Sequence, residues 1–268
     1  MSNNAAFDTL AAVYDRDFAE SPVSRWLRER VWGWLEPHFP EGSTAFEIGC
    51  AGGIDALWMA QRGVKVIAAD ISPFMLDQTK AKAEAANLGH LVTPLLFDLN
   101  HLPEWDSEPV DGVYSNFGPV NCTRDWTGLG RFLARAVKPG GYVGLGVISP
   151  FCMWETLWHG LHLDFRTAFR RFKRETIATL PGGGTLPIYY PSPRQFVRAF
   201  QPYFQFERVR GLGVFLPPSD AFGVVDKRPR IMKPLIAAET HLADYWPFRT
   251  WTDHYWIEFT RTSSHSGD

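Results

Sequence analysis

The stretch 46-FEIGCAGGIDAL-57 sets a carboxylate, Glu47, just ahead of glycines at 49, 52 and 53, between an apolar run and a helix-like pattern. A loop that leaves a strand and enters a helix turns backbone N–H groups toward a ligand, and glycine lets the backbone approach it closely. That is chemistry for holding a nucleotide-like molecule. The spacing departs from the dinucleotide fingerprint G-x-G-x-x-G. Asp70 ends the next strand-like run, 21 residues after Gly49, where a carboxylate takes both hydroxyls of a ribose. Glu47 separates the ligands that fit. At the loop mouth it repels a pyrophosphate by about 4 kcal/mol for unit charges about 4 Å apart at intermediate dielectric. A cationic ligand without phosphate is favoured instead. The plainer alternative is that Glu47 ends an exposed strand and the glycines only make a tight turn. Ala51 stands where a loop glycine is expected. Its methyl narrows the loop, and its ordinary φ range, with Gly52 alongside, is expected to preserve the turn.

Other reactive side chains are sparser. In 115-SNFGPVN-121, Asn116 and Phe117 fall at the carboxyl end of a strand-like run, where open α/β sheets bind ligands. Asn116 is read equally as a ligand contact and as a turn cap, and Asn121 and Cys122 as structural. His159 and His162, in 154-WETLWHGLHLD-164, lie three apart without a third ligand, so no metal site is expected. His159 is the candidate general base, against the plainer reading of a helix histidine facing solvent. Tyr189 and Tyr190 are candidates for an acceptor site, and His254 is assigned to the edge of the last strand.

The elements that must position these residues follow from periodicity. Residues 7–38 read as helical and end at Pro37 and Pro40. Strands are predicted over 44–49, 65–70, 91–98, 110–116 and 142–148, with helices over 53–62, 73–87 and 126–137. Nearly all-apolar strands alternating with helices predict a parallel sheet covered on both faces. Residues 151–174 read as one aromatic helix, 185–190 as a short strand and 193–200 as a helix. Strands over 204–215 and 254–261, joined by a helix over 230–245, complete the sheet. The expected fold is a Rossmann-like, seven-stranded, mostly parallel sheet in a single domain. Its parts are N-terminal helices (1–40), a ligand-binding core (41–149), a covering insertion (150–200) and a sheet-completing end (201–262).

Taken together, these segments resemble the class I S-adenosylmethionine-dependent methyltransferases. E-I-G-C-A-G-G is similar to that family's E/D-x-G-x-G-x-G motif, Asp70-Ile71-Ser72 to its acidic second-strand end, 97-FDL-99 to its third-strand segment and 133-LARAVKPGG-141 to its turn into the fifth strand. The opening 7-FDTLAAVYDRDF-18 resembles its N-terminal helix. The likeness covers about residues 7–148. It implies S-adenosyl-L-methionine as cofactor, a cation without phosphate, held by Tyr14, Glu47, Gly49, Cys50, Ala51, Gly53, Asp70, Ile71, Asp98, Leu99 and Asn116. In the family's pattern Asp98 accepts from the adenine amino group. The Asn/Asp-Pro-Pro-aromatic tetrapeptide of enzymes that methylate nucleic-acid amines is absent after the fourth strand.

Composition narrows the acceptor. Hydrophobic residues make up 45% and charged residues 21%, and the formal net charge of −2 gives no overall field to collect nucleic acid. Three scattered cysteines form neither a disulfide framework nor a zinc site. The start lacks the basic and apolar regions of a signal peptide, and no run reaches a membrane span, so a cytoplasmic protein is expected, as a monomer or homodimer. Aromatics at 15%, with 11 Trp and 20 Phe, exceed the demands of a core. In 165-FRTAFRRFKR-174, Phe165, Phe169 and Phe172 share one helical face and Arg166, Arg170, Lys173 and Arg174 the other. This predicts a lid helix with its phenylalanines inward, or a surface for an anionic substrate or membrane. Phe117, Trp154, Trp158, His159 and Tyr190 are the candidate pocket for a small apolar or aromatic acceptor, methylated at oxygen or nitrogen rather than carbon. The alternatives are a nucleic-acid or protein methyltransferase and a non-catalytic protein that binds the cofactor.

Overall fold

The computed structural model describes residues 21–179, 184–217 and 228–263; Tyr14 lies outside them. Helix α1, Pro22–Leu35, starts with Pro22 in its first turn, behind Ser21, whose hydroxyl accepts from the Ser24 N–H at 3.4 Å. Its stripe of Val23, Leu27, Val31 and Leu35 is buried in the core. Strands β1 (Thr44–Ile48), β2 (Lys65–Asp70), β3 (Val92–Leu96), β4 (Val110–Ser115) and β5 (Val137–Ile148) alternate with helices α2 (Ile54–Ala60), α3 (Pro73–Ala85) and α4 (Trp126–Ala136). Caps explain the starts of two of these helices: Ser72 accepts from Met75 N–H, and Asp125 from Gly128 N–H.

The chain then makes α5 (Met153–Leu161), α6 (Phe165–Ala168), β6 (Glu175–Thr179), β7 (Thr185–Tyr189), α7 (Pro193–Phe200), β8 (Phe204–Leu212), α8 (Pro229–Leu242) and β9 (His254–Arg261). The seven-stranded sheet has the order β3-β2-β1-β4-β5-β9-β8. β1 to β5 pair in parallel, and β9 runs antiparallel to both β5 and β8. Strand order reverses at β1, between β2 and β4, so a ligand crevice is due at the carboxyl ends of these strands. No helix among the described residues is long and apolar enough to cross a membrane.

Three elements depart from the sequence-based expectation. The strand over 204–215 stops at Leu212, because Gly213 turns left-handed (φ 79°) and the buried Glu239 carboxylate accepts from the N–H groups of Gly213, Val214 and Phe215. β6 was not foreseen; it pairs antiparallel with β7 into a separate hairpin. The single helix over 151–174 is broken: Leu163 is left-handed (φ 60°), and Asp164 caps a new turn by accepting from Thr167 N–H at 3.1 Å. The break overturns the inward apolar face. Phe165, Phe169 and Phe172 are 57%, 47% and 58% exposed, while Arg171 is buried.

Arg171 ties the insertion to the sheet. Its guanidinium donates to Glu155 Oε2 (2.7 Å), Asp253 Oδ1 (2.6 Å) and the Ser149 and Asp253 carbonyls, and Arg170 bonds both Glu155 oxygens. Burial disfavours the Asp253 charge, but His254 and Arg171 outweigh it and hold the carboxyl well below the usual range. Removing one partner strands the other charges out of water. Glu155→Ala should therefore cost about 3–5 kcal/mol of unfolding free energy, read by denaturant titration; a loss under about 1 kcal/mol, the scale of an exposed ion pair, would show that the cluster does not anchor the insertion.

Candidate active site

The loop after β1 is held open by left-handed backbone at Gly49 (φ 75°), Ala51 (φ 46°) and Gly53 (φ 78°). A Cβ on Gly49 would lie 2.2 Å from Pro119 Cγ, and one on Gly53 would lie 2.6 Å from Thr79 Cγ2, so both positions require glycine. Ala51 does not keep the ordinary φ range expected of it, and Gly52 is not the left-handed residue. The alanine itself takes the conformation a glycine would supply, at a cost of roughly 1–2 kcal/mol. Its neighbours force this: Ala51 N–H donates to Asp70 Oδ2 at 2.9 Å, and its carbonyl accepts from Thr79 Oγ1 at 2.9 Å. Replacement Ala51→Gly should raise stability by about 0.5–1 kcal/mol once glycine's greater unfolded-state entropy is offset, measured by chemical denaturation; a loss would mean that the alanine is unstrained.

The loop overlooks a cavity of about 250 Å³ at the carboxyl ends of the parallel strands. Gly49, Ala51, Asp70, Ile71, Asp98, Leu99, Asn116 and Phe117 line it. Asp70 Oδ1 accepts from Ser72 N–H at 3.0 Å, and Oδ2 from Ala51 N–H at 2.9 Å, with the carboxylate on the cavity wall. Partial burial works against the Asp98 charge, but His101 and Asn100 bond the carboxylate and lower its pKa. Phe117 is itself left-handed (φ 54°), ahead of Gly118 (φ 88°), which marks the end of β4 as a strained turn over the cavity.

A narrow cleft behind the loop continues this site, with Arg28, Cys50, Asp55, Asn116 and Phe117 on its walls. Asp55 is the hub. Arg28 Nη1 donates to it at 2.5 Å, Trp32 Nε1 at 2.7 Å and Asn116 Nδ2 at 3.2 Å, and the Arg28 guanidinium lies 4.9 Å over the Phe117 ring. Asn116 Oδ1 is buried with no hydrogen-bond partner, an acceptor waiting for a donor. Sequence reasoning missed Arg28 and Asp55. A cation within the apolar stripe of α1 was the available signal for Arg28; Asp55 resembled an ordinary acid in a first helical turn.

Two sets of expected residues lie elsewhere. Glu47 is not at the loop mouth. It is 1% exposed beneath the loop, lines neither cavity, and its Oε2 has no hydrogen-bond partner. Burial, then the nearby Asp55 charge, raises its pKa well above the usual value. Glu47, which favours its neutral form, therefore sets no charge against a pyrophosphate; Asp70 and Asp98 are the acids that line the cavity. Gly53 shapes the loop without lining either space.

Trp154, Trp158, His159 and Tyr190 also miss the cavity. Trp154 Nε1 donates to the Phe215 carbonyl at 2.7 Å, and Trp158 packs on Trp154 and His162. His159 lies 3.5 Å from Asp164, its placement set by the helix break. The Tyr190 hydroxyl bonds Thr176 at 2.8 Å, turned into the hairpin base. The covering side chains are Leu186 and Ile188 of β7. They share Tyr190's strand parity, so the period was legible and the residue within it was not. Asn121 fastens this roof: Nδ2 donates to the Tyr189 carbonyl (2.7 Å) and the Ile148 carbonyl (3.1 Å), and Oδ1 accepts from Ile148 N–H (2.9 Å). Among the described residues no group of His, Cys, Asp and Glu is placed to hold a metal ion.

The raised Glu47 pKa predicts a pH dependence. The native state keeps a proton that the unfolded chain releases above about 4.5, so native stability falls as pH rises from there toward the raised value. Glu47→Gln cannot release that proton. Compared by denaturation without added ligand, wild type should lose stability relative to Glu47→Gln as pH rises above about 4.5; parallel curves would refute the shift.

Residues 45–141 match the family described as "Methyltransferase domain". The chain is 31% identical over 129 residues to the S-adenosyl-L-methionine-dependent Diels-Alderase iccD of Talaromyces variabilis, a match covering 46% of this chain and 43% of that protein. The chain spans about half the length of the curated relatives it matches. Two solved structures share the fold across 98% of this chain. They are the [4+2]-cyclase SpnF (TM-score 0.63, 14% identity, 95% of that chain) and the CcbJ methyltransferase of Streptomyces caelestis (TM-score 0.62, 15% identity, all of that chain).

Proposed function

We propose that this member of the class I S-adenosylmethionine-dependent methyltransferase family transfers a methyl group to a small, apolar or aromatic acceptor, at oxygen or nitrogen rather than carbon. One observation carries the reading: a single cavity joins an acidic wall, Asp70 and Asp98, to an apolar wall of Phe117, Ile148, Leu186 and Ile188. The residues fit the cofactor. The Asp70 carboxylate, at the end of β2 on the cavity wall, suits ribose hydroxyls, and Asp98 with Leu99 suits the adenine edge. The unpaired Asn116 Oδ1 suits the ammonium of the methionine end and Arg28 its carboxylate, and the left-handed loop at Gly49 and Ala51 brings backbone close to it. When bound, the cofactor supplies a methyl carbon already activated by a sulfonium.

The chain's own contribution is placement. Leu186, Ile188 and Phe117 exclude water and orient the acceptor, and alignment of this kind is worth up to roughly 7–11 kcal/mol. Among the described residues the cavity wall carries no histidine, lysine or tyrosine, and Asp98 is engaged by His101 and Asn100. The acceptor then enters in its nucleophilic form, as a neutral amine or an ionised acidic hydroxyl.

The same lack of a histidine, lysine or tyrosine on the wall favours a second reading, in which the cavity promotes a cycloaddition, the reaction for which the Diels-Alderase iccD and the [4+2]-cyclase SpnF are named. Methyl-labelled cofactor separates the two: label passes to the acceptor in the first reading, while the second gives an isomer of unchanged mass. Transfer of label to RNA or protein instead would favour a macromolecular methyltransferase.

Asp70→Ala should weaken S-adenosylmethionine binding at least about tenfold, the 1.4 kcal/mol scale of one lost charged hydrogen bond. Calorimetry on the folded variant reads this directly, and unchanged affinity refutes the ribose role.

A further inference from the structure

The broken segment between α5 and β6 carries its apolar side chains outward. Leu157, Leu161, Leu163, Phe165, Phe172 and Ile177 are 59%, 82%, 76%, 57%, 58% and 62% exposed. Between Leu157 and Ile177 the cations Arg166, Arg170, Arg171, Lys173 and Arg174 outnumber the carboxylates Asp164 and Glu175 by three, in a chain whose formal net charge is −2. Arg170 and Arg171 are committed to Glu155 and Asp253. Arg166, Lys173 and Arg174 are exposed and form no ion pair among the described residues. Arg166, Arg170 and Lys173 line an open groove of about 630 Å³ together with Thr167, Thr176, the exposed Ile177 and one carboxylate, Glu175, so cations outnumber acids there three to one.

We infer that this face docks on an anionic lipid surface, the groove receiving a headgroup phosphate while the surrounding leucine and phenylalanine side chains enter the acyl boundary. The pattern is that of an interfacial protein: cations to meet the headgroups, large apolar side chains to penetrate, and no spanning helix among the described residues. The charge separation decides the partner. A second copy would set one cationic face against another, which disfavours self-association here. An acidic protein would satisfy the cations, but side chains as prominent as Leu161 and Leu163 would each need a matching pit in a rigid surface. A lipid interface deforms around them. The hairpin following this segment roofs the cavity with Leu186 and Ile188, so docking brings the roof near the phase where apolar acceptors concentrate.

The test is vesicle flotation of the full chain without cofactor or acceptor, so its outcome is independent of the methyl-transfer reading. The chain should float with phosphatidylcholine vesicles containing phosphatidylglycerol and not with phosphatidylcholine alone, and salt should weaken the binding. Arg166→Glu with Lys173→Glu should reduce binding at least about tenfold. Leu161→Ser, at a position too exposed to affect folding, should weaken it at unchanged charge, with circular dichroism confirming each variant's fold. The inference is overturned by absence of flotation, by equal binding to neutral vesicles, or by a charge variant that binds like wild type. Saturation by free inorganic phosphate or capture by polyglutamate, without vesicle binding, would overturn it too.

Discussion

A single carboxylate organises the ligand crevice. Asp70 ends β2, yet its two oxygens reach the backbone of two neighbouring turns, one into α3 through Ser72 and one into the glycine loop through Ala51. Parallel pairing of β1 with β2 puts the strand ends side by side, and the carboxylate fixes how the chain leaves both. The left-handed geometry of the loop follows, and with it the close packing of Gly49 on Pro119 and Gly53 on Thr79. The crevice is set by hydrogen bonds to backbone before any ligand side chain is counted.

The strain at Ala51 belongs to the same arrangement. An alanine in the left-handed region persists only where its surroundings over-determine it, and here both of its backbone polar groups are held by side chains from neighbouring elements. Phe117 repeats the pattern at the end of β4. Non-glycine left-handed residues thus stand on two sides of one cavity, and the rigidity that sustains them also pre-organises the walls.

The parallel core was legible because its strands are apolar on both faces and its helix starts carry Ser, Asp and Pro, signals that belong to single elements. The residues at its strand ends were legible for the same reason: Asp70, Asp98 and Asn116 fall where parallel strands stop. Glu47 misled because alternation along a strand does not say which side of a loop a side chain enters. Arg28 and Asp55 make their site by meeting across 27 residues, which no local pattern records. The insertion was least legible. Its apolar pattern continues through Leu163 and Asp164, where the chain turns left-handed and Asp164 caps a new turn, while Arg171 beyond the break bonds back to Glu155.

Asn121 joins the roof of the cavity to its floor. Its amide bonds β5 and β7 at once, from the short turn that also carries Pro119 and Cys122 into the cavity wall. Roof and floor therefore lack independent suspension. A guest bulky enough to lift the hairpin must draw on the turn below, and through it on the backbone beside Gly49, where the first loop is packed. Acceptor size and the shape of the neighbouring loop become one mechanical variable, so the enclosure widens as a frame rather than as a hinged door.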